Sequence, residues 1–272
     1  MNGMPRQWAA LGRVLLFLVC CAIVLAATAP FASTLPAAIQ GIVIGTVASI
    51  GAFALTLLFL RWDGLRLNDI GAAVNGRSPL RLAIGFGLGL LIVAVHASIV
   101  AVVGHVRWVR VPSVGVSTVA ITLVAYLCLS CREELSFHGY PLRRLQSHFG
   151  VWVAQVIVAF VFAAEHVAGG SAWGQALVGA GVGSLLFGMA SIATRGLAVP
   201  IGLHAAWNLG DWMRGSKATN GPWRQVIENG FAGRASTAAT IGYVVVMSAA
   251  TLAFWWWYRV STTSQTSGSS PS

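Results

Sequence analysis

Charge is what this sequence has least of. Asp, Glu, Lys and Arg make up 9% of its 272 residues, against about 25% in an ordinary soluble domain. A water-exposed globular fold of this length is thereby excluded. Cysteine is also scarce. Cys20, Cys21, Cys128 and Cys131 all stand in or beside apolar runs. That placement excludes a disulfide framework and reads as small buried apolar side chains, not as a redox or metal centre. There is no internal repeat and no linker that divides the chain, so a single domain is expected over residues 1–260. The Ser/Thr-rich stretch 261–272 is expected to be a disordered tail. No cleavable leader is evident. Arg6 and Arg13 precede the first apolar run, but further spans follow, so it reads as a retained first helix.

What the sequence has instead is apolar length. Apolar residues make up 57% of it, and Ala37 to Leu60 carries no charge. A membrane span needs about 20 mostly apolar residues. Backbone polar groups in lipid must bond within the segment, so such runs are helices. Eight segments stand out, near 14–31, 37–60, 82–103, 117–142, 151–168, 175–193, 197–210 and 238–257. The fold class is therefore all-α, a multi-span transmembrane bundle of about eight helices.

The net charge of +10 does not signal nucleic-acid binding, because the arginines are scattered between apolar runs and form no basic face. It fits the positive-inside rule and contact with anionic membrane lipid. With the N-terminus inside, eleven basic residues fall on the inner side and six on the outer, which places both termini in the cytoplasm. Phe254 to Tyr258 (FWWWY) reads as an aromatic belt where the last helix leaves the membrane. Much Ala, Gly, Val and Arg with a single lysine is the composition of a GC-rich bacterial genome, so the expected location is a bacterial inner membrane.

Polar residues inside the apolar segments carry the functional signal. An ionisable group in a bilayer costs about 2.5–3.5 kcal/mol. Glu133, Glu134, His138, Glu165, His166 and His204 all lie in apolar segments, with Asn208 beside them. Unpaired, they would cost on the order of 15 kcal/mol, so they are expected to meet inside the bundle. Glu134 and His138, Phe162 and His166, and His204 and Asn208 are each four apart, on one helix face. Glu133 and Glu134 point about 100° apart and are not expected to aim at one centre. Counted along the helices, a carboxylate, two imidazoles and an amide reach similar depths and are expected to meet below the inner surface. Glu165 reads as a snorkelling or loop-facing carboxylate near the outer end. His96 reads as a satisfied bundle histidine, and His105 and His148 as loop residues.

Three motifs stand on three of these segments: EELSFH at Glu133–His138, FAAEH at Phe162–His166 and HAAWN at His204–Asn208. Together they resemble the CAAX-protease and bacteriocin-processing (Abi) family of intramembrane proteases. That family carries Glu-Glu-x-x-x-Arg, Phe-x-x-x-His and His-x-x-x-Asn on successive helices. Flanking text is similar too, HGYPLRRLQ after the first motif and LAVPIGLHAAWNLG around the third. The resemblance covers about residues 115–212. One position departs from it, since the family's arginine is His138 here.

The resemblance implies an intramembrane endopeptidase. Glu133 would activate a water as general base and His166 would help position or deprotonate it. His204 and Asn208 would hold the oxyanion. Glu134, His138 and Phe162 would support these groups. The substrate class is a membrane-associated or bacteriocin-like peptide, or a membrane protein. Members are often labelled metalloproteases, and Glu133, His166 and His204 are a zinc-type ligand set. FAAEH, however, is not the inverted zinc motif His-x-x-Glu-His, because Phe162 stands where a ligand is required. Metal-independent chemistry is the reading favoured, with zinc left open. Two alternatives remain. One is a non-catalytic scaffold or bacteriocin-immunity factor that keeps the fold, motivated by His138. The other is a proton-coupled transporter, against which the lack of inverted repeats counts.

Overall fold

The computed structural model describes residues 6–218 and 220–267. Its helices are α1 (Arg6–Ser33), α2 (Ala37–Asp63), α3 (Ser78–Gly104), α4 (Val116–Glu133), α5 (Tyr140–Phe149), α6 (Val151–Ala168), α7 (Trp173–Gln175), α8 (Val182–Thr194), α9 (Ala198–Met213) and α10 (Ala232–Ser267). A π-helical turn, Glu134–Gly139, joins α4 to α5, and another, Ala176–Gly181, joins α7 to α8. The described chain is thus an all-α bundle of eight continuous helices, one for each apolar segment. Seven are long and apolar enough to cross a membrane. The eighth, α9, has 16 residues, about 24 Å of helix. It is the most enclosed, with eleven buried residues.

Helix limits follow local chemistry. Prolines open α3, α5 and α9 within their first turns, where a missing N–H costs nothing. A single glycine, Gly150 at φ 81°, turns α5 into α6. That positive φ is a conformation glycine adopts without steric penalty. Two limits correct the sequence expectation. The fourth helix runs on to Phe149 and does not stop near residue 142, which also puts His148 on a helix. The last helix continues to Ser267, so the tail expected to be disordered from Ser261 is helical that far. Residues 268–272 of that tail lie outside the described residues.

Between the helices lies one feature without a hydropathy signal. Strands β1 (Val106–Arg110) and β2 (Trp223–Ile227) pair antiparallel, with Trp108 opposite Gln225. β1 follows α3 and β2 follows α9. Their pairing puts the ends of both helices on one side of the bundle. Four continuous helices separate the two strands, so the short α9 must itself run from one side to the other. On the opposite side, Asp63 at the end of α2 is fully buried and pairs with Arg13 of α1 and, at 2.9 Å, with Arg144 of α5. Tyr140 donates to the same carboxylate at 2.8 Å.

The helix that carries the third motif is clamped by α3. A Cβ on Gly202 would strike the Leu82 carbonyl oxygen, and one on Gly85 would strike that of Val199. Small residues at these crossings let two backbones touch.

Candidate active site

The first motif sits where α4 passes into its π turn. Such turns shift the hydrogen-bond register to i→i+5 and recur at functional sites. Glu134 is fully buried. Its Oε2 lies 2.7 Å from His138 Nδ1, and its Oε1 lies 2.9 Å from His204 Nδ1. His138, also fully buried, reaches Ser184 Oγ of α8 through Nε2 at 3.0 Å. Glu133 faces the other edge of His204, with Oε2 3.3 Å from Nε2. Its Oε1 accepts from Arg132 Nη2 at 2.6 Å.

The two adjacent glutamates therefore do meet at one centre, contrary to the sequence expectation. Their divergence is real, but an imidazole carries its nitrogens on different edges. His204 fits between the two carboxylates and takes one on each nitrogen. Phe187 stacks on its ring at 4.1 Å between centroids and 14° between planes.

The second motif fixes a tautomer. His166 Nδ1 lies 2.9 Å from the Phe162 carbonyl oxygen, one turn back on α6. A carbonyl only accepts, so Nδ1 carries the hydrogen and Nε2 of the neutral ring is left as an acceptor. The Phe162 ring lies 4.7 Å from that of His166, 6.3 Å from His204 and 6.2 Å from His138. It spaces the three histidines. Asn208, half-buried one turn beyond His204, accepts through Oδ1 from Lys217 Nζ at 2.7 Å.

A cavity of about 730 Å³ joins these groups, with Phe162, His166, Phe187, His204, Asn208 and Lys217 among its walls. Glu133 stands behind His204, 13% exposed. The loop residues Ser171 and Ser216 also line the cavity, so it opens toward the side that carries β1 and β2. The depth expectation is corrected accordingly, since the site does not lie below the side that carries Asp63. The fourth helix reaches that side sixteen residues after Glu133, at Phe149. That is about 24 Å along the axis, and His166 is only two residues from the end of α6.

Three participants had no pattern in the sequence. Arg132, one of the eleven basic residues that the sequence count assigns to the inner side, is buried on α4 and bridges Glu133 and Glu165. Glu165 accordingly faces the bundle and neither snorkels nor faces a loop. The signal available was the arginine itself, since a guanidinium inside an apolar run must find a carboxylate. Lys217 belongs to a loop with no periodicity to place it. Lys217 is an exposed residue, but the protein around its ammonium displaces water, and that desolvation holds its pKa below the usual lysine value. Ser184 is one small polar residue among many. His96 has the satisfied character expected of it, giving Nε2–H to the Ala239 carbonyl at 2.9 Å and accepting from Arg214 at 2.7 Å.

The zinc-type set does not assemble. Among the described residues, no three His, Cys, Asp or Glu side chains are placed to hold a metal ion. Of the set Glu133, His166 and His204, His204 has Nδ1 on Glu134 and Nε2 3.3 Å from Glu133.

Comparison with known proteins agrees with the motifs. Residues 115–210 match the family described as Rce1-like, type II CAAX prenyl endopeptidase. The match is consistent with the CAAX-protease and bacteriocin-processing family, and it supports an intramembrane protease at the level of the family. No curated protein matches the chain.

Proposed function

We propose, with that family match as premise, that the chain is an intramembrane endopeptidase that hydrolyses a peptide bond with a glutamate-activated water. The observation that carries the reading is the meeting of three motif helices at one cavity: Glu133 behind His204, His166 with an open Nε2, and Asn208 one turn further on.

In the proposed reaction a water enters beside Glu133 and His166. Glu133 takes its proton as the oxygen attacks the carbonyl carbon, and the C=O electron pair moves onto oxygen. Asn208 donates to that oxyanion, and His204 joins it through Nε2–H once Glu133, now protonated, no longer holds that nitrogen. When the C–N bond breaks, the proton on Glu133 passes to the leaving amine. Glu134 holds His204 from its far edge throughout, and His138 and Ser184 hold Glu134. Arg132 keeps the Glu133 carboxylate turned toward the cavity wall. The substrate is a membrane-associated or bacteriocin-like peptide, or a membrane protein, that reaches the cavity within a bacterial inner membrane. The chemistry proposed uses no metal.

A second reading has an observation of its own. Glu134, His138, Ser184 and His204 form a closed interhelical network with the two central residues fully buried, and such a network holds a bundle without any chemistry. That is the scaffold or immunity factor.

One substitution separates the two. Glu133→Gln keeps shape and removes the proton acceptor. Hydrolysis of a peptide library in liposomes is expected to fall by at least about 100-fold. Protein level and melting temperature should change little, because Arg132 retains Glu165 as a partner. A scaffold predicts that the cellular phenotype of Glu133→Gln is intact, and that result would remove the peptidase reading while leaving the fold untouched.

A further inference from the structure

Lysine occurs once in the sequence, and it stands in the wall of this cavity. Arginines nearby are neutralised: Arg132 by Glu133 and Glu165, Arg214 by Asp211 at 2.5 Å. Lys217 differs. Among the described residues no carboxylate lies within ion-pair distance of its ammonium, which instead donates to Asn208 Oδ1 at 2.7 Å and lies 5.2 Å from the centre of the Tyr126 ring.

That contact has a directional consequence. An ammonium can only donate, so it accepts no other orientation of the amide than the one with oxygen toward it. The Asn208 nitrogen is then turned the opposite way. Among the described residues it meets no protein acceptor, and Asn208 itself lines the cavity. Without Lys217 the amide is free to flip, and half of its orientations present an oxygen where an oxyanion would need a hydrogen.

We infer that Lys217 is a positioning residue that locks the Asn208 amide with its N–H groups aimed into the cavity. The inference deepens the peptidase reading and rests on it. It also assigns the loop between α9 and β2 a place in the reaction, since that loop delivers the lysine. A pH signature follows. Facing the ammonium are Asn208 and, acting through charge, Asp211 on α9 and Glu133 on α4, with Tyr126 as its aromatic neighbour. Desolvation outweighs the two carboxylates and lowers the pKa. The locking proton is therefore lost, as pH rises, earlier than from a lysine free in water.

The experiment uses the full chain in liposomes with a cleaved peptide as substrate. Lys217→Met is expected to lower kcat about 10- to 100-fold, a fraction of the worth of an oxyanion donor, with KM within about 2-fold. Asn208→Ala combined with Lys217→Met should be no slower than Asn208→Ala alone, because the lysine acts through the amide. Lys217→Arg should recover most of kcat and abolish the alkaline loss, since a guanidinium stays charged. Additive losses, or a Lys217→Met enzyme as fast as wild type, would overturn the inference. An amine-reactive probe supplies a second reading independent of turnover. With one lysine, a labelled internal peptide reports Lys217 alone. Asn208→Ala should speed its labelling, because loss of the acceptor favours the neutral amine. Unchanged labelling would show that the contact is absent and overturn the inference as well. If wild type and Glu133→Gln both cleave nothing, the peptidase reading falls and the positioning role falls with it, while the labelling still tells whether the contact exists.

Discussion

His138 shows how a buried polar side chain is held by its surroundings. It has no exposure, donates from Nδ1 to the Glu134 carboxylate and meets the Ser184 hydroxyl with Nε2, and its Cδ2 comes within 3.0 Å of where a Cβ on Gly188 would stand. The related family has arginine at this position. In this chain the guanidinium beside the first motif is that of Arg132, which reaches Glu133 and Glu165. His138→Leu removes one of the two partners of a fully buried carboxylate. A loss of about 3 kcal/mol is the usual consequence of leaving a buried charge without its partner. The expected outcome is a lower melting temperature in detergent together with lost activity, in contrast to the stable but inactive Glu133→Gln. A His138→Leu protein as stable as wild type would mean that His204 alone satisfies Glu134.

Helix α9 shows why spacing along the chain was informative and incomplete. His204 and Asn208 share a face, as their spacing requires, but what fixes that face toward α4 and α6 is contact with α3 on the opposite side. Gly202 meets Leu82 and Gly85 meets Val199, backbone to backbone. Gly202→Ala adds a methyl where the Leu82 oxygen already stands. It should destabilise the bundle by about 1–3 kcal/mol as α9 is pushed off α3, and it should lower activity disproportionately because His204 lies two residues away. Thermal unfolding and turnover measured side by side check this. Gly87→Ala, on α3 but with open space at its Cβ position, is the control expected to behave as wild type. The π turn after Glu133 is the other such case. Apolar periodicity does not register one inserted residue, and yet the turn sets where Glu134 and His138 point.

Taken whole, the bundle has two ends of different character. One carries Asp63 with Arg13 and Arg144, the other carries the β1–β2 pair and the mouth of the cavity. The strand pairing requires an even number of crossings between α3 and β2, and α9 supplies the fourth. Reporter fusions after Thr34, Gly170 and Gly215 should therefore share one side, and fusions after Gly76 should report the other. The basic residues assign the Gly76 side to the cytoplasm. That assignment withstands the transfer of Arg132 from a surface position to the buried site, since it removes one residue from an eleven-to-six bias. Opposite reports after Thr34 and Gly215 would break the crossing count.

The membrane class, the eight helices and the three motif helices were legible in the sequence. Each depends on features within one segment: apolar length, a four-residue spacing, a proline near a helix start. Hydration and backbone hydrogen bonding act on such segments before any partner arrives. Contacts between segments were beyond its reach. That His204 lies between Glu133 and Glu134, that Arg132 joins Glu165, and that Lys217 bends back onto Asn208 are all pairings across 9 to 71 positions. Nothing in local periodicity encodes them. They arise because a charge or amide enclosed in a low-dielectric bundle must find its counterpart, and which counterpart is near depends on how glycine contacts and a π turn set the helices against one another.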